Sequence, residues 1–307
     1  MIEVKEINYE SFGKCVCITN GEIEAYVTID FGPRIIRCGF VGGENFMKED
    51  KGPTIEHDLG EDCMFKENKF YIRGGHRFWI SPEAMPRTYY PDNEPVAYEK
   101  TANGAIFTPP VQVVNDFAFT IEISMDENEN KITIDHHVKN VGYWPKEFAP
   151  WCITVMAEGG VEVLPQNTTD TGLLSNRTIM LWPYTKINDE RFTVTDKYMT
   201  LRQDPTVEHP FKVGISQEHP WAAYFRHGCM FVKTYSPVDG GVYPDNNCTY
   251  ETYTNDKILE MESLGELKTV NSGETSSHTE VWYLYENVDV PDTDEEKDAL
   301  KAKYNLK

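Results

Sequence analysis

Apolar and polar residues alternate with a period of two in one segment after another of this chain, and that rhythm restricts the fold more than any other feature. It runs through GEIEAYVTID, PRIIRCGF, FAFTIEISM and KITIDHHVKN, and returns near the end in CMFVKTYS, KILEMESL and HTEVWYLYE. Successive side chains of a strand point to opposite faces, so each run marks a strand with one buried face. Turn-forming clusters separate the runs, among them FGP at 31–33, DENEN at 126–130 and NSGE at 271–274. Helical periodicity waits until the tail, where Thr293 and Glu296 make a capping-box pattern ahead of EEKDALKAKY and predict one short C-terminal helix. The pattern predicts an all-β chain, either a large sandwich or an antiparallel barrel. No composition break or repeat divides the 307 residues, so a single domain is expected. No Gly-x-Gly-x-x-Gly follows a strand and there is no phosphate loop, which disfavours an α/β nucleotide-binding enzyme.

Charge narrows the partners. A formal net charge of −21 weighs against nucleic acid, whose phosphates need a basic face, and against anionic membranes. No apolar run approaches the ~20 residues of a membrane helix. The amino terminus lacks the basic-then-apolar order of a secretory signal, and seven cysteines without regular spacing suggest free thiols, so a cytoplasmic location is expected. The sequons at Asn167, Asn176 and Asn247 then carry little meaning, because glycosylation requires secretion. The cysteines form no zinc pattern and the eight histidines have no metal-ligand spacing.

Polar groups crowd into YIRGGHRFWISPEAMPRTYYPDNE, residues 71–94. Arg73, His76, Arg77, Glu83, Arg87, Asp92 and Glu94 interleave there with Phe78, Trp79, Tyr89 and Tyr90. Forked donors, carboxylates and aromatic rings together suit a sugar, whose hydroxyls take hydrogen bonds while its C–H face packs on rings. The segment therefore reads as the wall of a polar pocket, with Arg73 and Arg77 placed to hold hydroxyls or an anionic substituent. His76, after Gly74 and Gly75, is the first choice for a general acid or base. His136 and His137 are adjacent in a predicted strand, so at most one of them enters a pocket. In KILEMESLG, alternation puts Ile258, Glu260, Glu262 and Leu264 on one strand face. Glu262 is then either a half-buried base with a raised pKa or a solvated edge residue.

GEIEAYVTIDFGPRIIRCGFVGGENFM resembles the opening of galactose mutarotase-like proteins, and ILEMESLGELKTVNSGETSSHTEVWYLYE resembles their closing strands. GGHRFWISPE, YYPDNEP, MLWPYTKINDER and YPDNNCTYETYTND are similar to a branch of that superfamily without an assigned function. The resemblance covers about Gly21 to Glu286. It implies a β-supersandwich with a sugar-binding cleft and aldose 1-epimerase chemistry that requires no cofactor and no metal. In that chemistry a glutamate takes the proton of the anomeric hydroxyl while a histidine protonates the ring oxygen. Glu262 matches the base. The mid-chain stretch KNVGYWPKEFAPWCITVM puts Trp151 where the resemblance expects the histidine, which leaves His76 or His137 to supply the acid. The substrate-binding set is Arg73, Arg77, Trp79, Glu83, Tyr90, Asp92, Trp151 and Asp245, the last from the second Tyr-Pro-Asp-Asn at 243–246. Three readings stand: a carbohydrate-binding isomerase acting on a free or phosphorylated sugar, a non-catalytic sugar-binding or regulatory module, and an oligosaccharide lyase or hydrolase.

Overall fold

The computed structural model describes residues 1–306. Two large antiparallel sheets, of 11 and 10 strands, face each other across a long apolar core. The predicted strands are present, and the chain is all-β apart from short turns and the helix Asp294–Lys303. Thr293 caps that helix as expected: its hydroxyl accepts from the Glu296 amide, and the Glu296 carboxylate accepts from the amide of Thr293.

The two sheets differ in what covers them. In the ten-stranded sheet, Phe117–Met125 is buried at every second residue and Thr275–Glu286 follows nearly the same rhythm, as strands with one wet face must. The centre of the eleven-stranded sheet runs Gly75–Ser81, Lys146–Met156, Leu259–Leu264, Tyr250–Thr254 and Phe211–Ile215 in spatial order. Gly75–Ser81 and Leu259–Leu264 are buried at every position. Their inner face meets the other sheet, and their outer face is roofed by connecting segments. A second apolar cluster forms under that roof, joining Phe70, Trp79, Trp151, Ile153, Tyr243, Ile258 and Leu264. Trp79 and Trp151 meet edge to face with centroids 5.7 Å apart, a contact of about 0.5–1.5 kcal/mol beyond its burial.

Of the segment read from sequence as a pocket wall, Gly75–Ser81 is a central strand, and the residues after it are loop around the turn Arg87–Tyr89. Gly74 and Gly75 bring the chain into that strand. Both have positive φ, 92° and 65°, and a Cβ would stand 2.0 Å from the Lys48 carbonyl oxygen at Gly74 and 2.3 Å from that of Ile35 at Gly75. No helix among the described residues is long and apolar enough to cross a membrane.

Candidate functional site

Register carries the site across the large sheet. Ile35 pairs with His76, which sets Arg34 across from Arg77; Arg77 pairs with Ile153, Ile153 with Glu262, and Glu262 with Glu251. Cross-strand partners point to the same side, so Arg34, Arg77, Glu262 and Glu251 form a row on the outer face. Lys212, from Phe211–Ile215, reaches into it.

The row is tightly wired and still unfinished. Glu262 Oε2 accepts from Trp151 Nε1 at 2.9 Å and from Lys212 Nζ at 2.9 Å, and Lys212 Nζ also lies 2.7 Å from Glu251 Oε2. The Lys212 ammonium sits over the Trp151 and Trp182 rings at 4.9 and 4.7 Å. Arg77 Nη2 donates to Glu260 Oε1 at 2.9 Å while its guanidinium lies 4.2 Å over the Trp79 ring. Glu262 Oε1, Glu251 Oε1, and Arg77 Nε and Nη1 are buried with no hydrogen-bond partner. Buried polar atoms are nearly always satisfied in folded proteins, so four orphans in one row mark a place built for a polar ligand.

Burial raises both carboxyls of the row. Glu251 is pushed up to about 8 by burial and the negative charge of Glu262, against the pull of Lys212. Burial likewise raises Glu262. Because both carboxyls share the Lys212 ammonium, they titrate as a pair, and burial holds a proton between them above the usual carboxylate range. Two neighbouring carboxyls on one ammonium can then divide acid and base duties.

A second polar network lies between the sheets, and His76 belongs to it. His76 is fully buried, with Nδ1 2.9 Å from Thr154 Oγ1 and Nε2 2.8 Å from His136 Nε2. His136 Nδ1 lies 3.0 Å from the His278 carbonyl oxygen, which can only accept. His136 therefore carries its proton on Nδ1, His76 donates from Nε2, and Thr154 donates to His76 Nδ1. Ser263 Oγ donates to Glu280 Oε1 at 2.6 Å and accepts from His278 Nε2 at 2.8 Å, while Lys233 Nζ and Trp282 Nε1 hold the Glu280 carboxylate at 2.8 Å each. His76, His136 and Glu280 are close enough to ligate a metal ion. Their donors are instead committed to one another and to Lys233, whose ammonium beside Glu280 opposes a second cation there.

No family model and no curated protein matches the sequence. Solved structures do match. A candidate aldose 1-epimerase from Klebsiella pneumoniae aligns over 99% of this chain and 87% of its own at 12% identity, with a TM-score of 0.61. A galactose mutarotase-like protein from Lactobacillus casei aligns over 88% of this chain and 100% of its own at 11% identity and a TM-score of 0.56. The fold is that of the galactose mutarotase-like proteins. The chain also spans about half of a TPR-domain containing protein from Parabacteroides distasonis, aligning over 92% of this chain and 49% of that one at 13% identity and a TM-score of 0.59.

On this mutarotase-like sheet the expected site residues part company. Arg77, Trp79, Trp151 and Glu262 share the outer face, whereas His76 points inward. The pleat is the reason, since neighbours along a strand face opposite ways. His76 and Glu262 thus do not meet, and His76 has no free nitrogen for a sugar. His137 is half-buried on the outer side of the other sheet, bonded to Ser277. Arg73 is half-buried beside the row, and Asp92 lies 2.8 Å from Arg34. Tyr90 packs against Phe65. Glu83 is exposed and accepts from the Tyr89 hydroxyl, and Asp245 is exposed on the turn Pro244–Asn247, with φ of 49°. Sequence reasoning missed Arg34, Lys212 and Glu251 as site residues. A signal existed for Lys212 and Glu251, each a lone charge inside an apolar or aromatic strand run, PFKVGI and TYETYT; Arg34, ahead of its strand after Gly32-Pro33, had none.

Proposed function

We propose that this chain, as one domain, binds a sugar on the outer face of its large sheet and interconverts the sugar's anomers. The observation that carries the reading is the row of buried, unpartnered carboxylate and guanidinium atoms beside two indole rings. Glu262, held at Oε2 and free at Oε1, takes the anomeric hydroxyl proton. Protonated Glu251, its cross-strand neighbour, gives a proton to the ring oxygen; the C1–O5 bond breaks, C1 becomes an aldehyde, and rotation about C1–C2 before reclosure inverts the anomer. The hydroxyl proton goes to Glu262 and the Glu251 proton to O5, and both return on closure, so no cofactor enters the balance. Trp151 and Trp79, buried beneath Lys212 and Arg77, form the apolar wall of the row beside which the C–H face would pack.

Glu262 is 0% exposed, so a sugar reaches it only when the roof on the Trp182 and Tyr184 side moves. The seven unpaired thiols support a reducing, cytoplasmic setting. The test is anomer exchange followed by NMR for common aldoses, uronates and sugar phosphates. Acceleration is expected for at least one of them, with a loss of 100-fold or more on Glu262→Gln, the order of a positioned acid–base group. Ligand-induced thermal stabilisation without any acceleration would instead favour the non-catalytic module, a reading supported by Trp151 at the place where the resemblance expects a histidine.

A further inference from the structure

Positive charge is left over at the Arg34 end of the row. Arg34 and Arg77 are 3% and 2% exposed, and half-buried Arg73 is close enough for its charge to act on Arg34. Arg34 Nη2 lies 2.8 Å from Asp92 Oδ2, at an angle that makes no hydrogen bond, and Arg34 Nε and Asp92 Oδ1 have no partner. Arg77 spends one nitrogen on Glu260 and keeps two unpartnered. Arg73 pairs with no carboxylate: Nη2 donates to Asn93 Oδ1 at 2.6 Å, the guanidinium lies 4.1 Å over Phe31, and Nε has no partner. Asp92 and Glu260 are the only carboxylates paired with these three guanidiniums among the described residues, since Glu94 in the same cleft is bound to Lys66. In a chain with 50 acidic and 29 basic residues, carboxylates are in ample supply, so this imbalance is specific to the place. Burial, countered by Asp92 and reinforced by Arg77 and Arg73, brings Arg34 down to about 10, and it stays charged at neutral pH. Arg34 also lines a cleft of about 60 Å³ with Phe70, Trp79, Tyr90, Asp92 and Glu94.

We infer that the ligand of this site is an anionic sugar, and that its carboxylate or phosphate docks between Arg34, Arg77 and Arg73. The inference rests on the sugar-binding reading. Two strand spacings, roughly 10 Å, separate Arg77 from Glu262 along the row. A hexose whose C1 lies at Glu262 therefore presents a substituent at its far end to the guanidiniums. Arginine forks match both carboxylate and phosphate, so the two anions share this recognition and are told apart by the test.

The full chain is titrated by calorimetry with galactose, galacturonate, galactose 6-phosphate and inorganic phosphate, as wild type and as Arg34→Gln and Arg34→Lys. At least one anionic sugar is expected to bind 10-fold or more tightly than galactose. The preference should shrink at least fivefold in Arg34→Lys, which keeps the charge and loses the fork, and vanish in Arg34→Gln. Should Arg34→Gln fail to fold, Arg34→Lys and the salt dependence of wild-type binding decide. Which anion wins separates uronate from phosphate. Galactose binding as tightly as both acids overturns the inference and leaves the sugar reading standing. Inorganic phosphate binding through Arg34 while no sugar binds removes the sugar reading and, with it, this ligand assignment. No binding by any probe removes both.

Discussion

Glu251 and the interior histidines tie stability to pH in opposite directions. Folded Glu251 holds its proton up to about 8, whereas an ordinary glutamate releases it near 4.5. Folding therefore takes up a proton between those limits, and stability falls as pH rises through that window. Burial brings His136 and His278 down to about 3 from 6.5, so the unfolded chain binds protons that the folded chain excludes. Stability is consequently lost as pH falls from 6.5 towards 3. Each proton difference tilts the curve by roughly 1.4 kcal/mol per pH unit. Denaturant titrations across pH 3–9 are expected to show loss on both sides of a middle range. Glu251→Gln, which imitates the protonated carboxyl, should flatten the decline between pH 6.5 and 8 and leave the acid side unchanged. An unchanged alkaline decline in that variant would show that Glu251 is ionised in the folded chain.

At the scale of elements, strands with one wet face were legible and those with none were not. Phe117–Met125 and Lys131–Asn140 alternate because water meets one side; the sequence rhythm sets His136 and His137 on opposite faces, and the structure turns His136 inward, not the His137 that the resemblance offered as an acid. GGHRFWIS is buried throughout, so hydropathy has no contrast to report and its polar residues look like loop chemistry. The pleat alone separates His76 from Arg77. Glu262 was placed on the right strand face, but its burial depends on the roof, which no local pattern encodes. The roof segment carrying Trp182 and Tyr184 leaves from the sheet's own edge, where Ile179–Leu181 is a three-residue strand paired only with Phe211–Ile215, and Leu173 and Leu174 before it are exposed. Local opening draws on such weakly packed elements. Amide exchange should be faster by orders of magnitude in Ile179–Leu181 than in Leu259–Leu264, and a bound sugar should slow it. Equal protection of the two strands would mean that the roof opens only with the sheet, and the ligand would need another route.

For the molecule as a whole, the surplus of negative charge and the buried arginines respond to salt in opposite ways. The net charge of −21 is spread over a surface where like charges repel, and added salt screens that repulsion. The guanidiniums of Arg34 and Arg77 lie inside, among carboxylates they do not fully match, and an incoming anion must approach through the field of the acidic surface. Salt lowers that barrier to approach while weakening the attraction at the end of it. Raising sodium chloride from about 10 mM to 500 mM should therefore increase the Tm of the unliganded protein. Over the same range an anionic sugar should bind less tightly at equilibrium, yet its association rate should fall less than its affinity, or even rise. A Tm that drops with salt would show instead that ion pairs such as Arg37 with Glu24 and Arg191 with Asp189 outweigh the general repulsion.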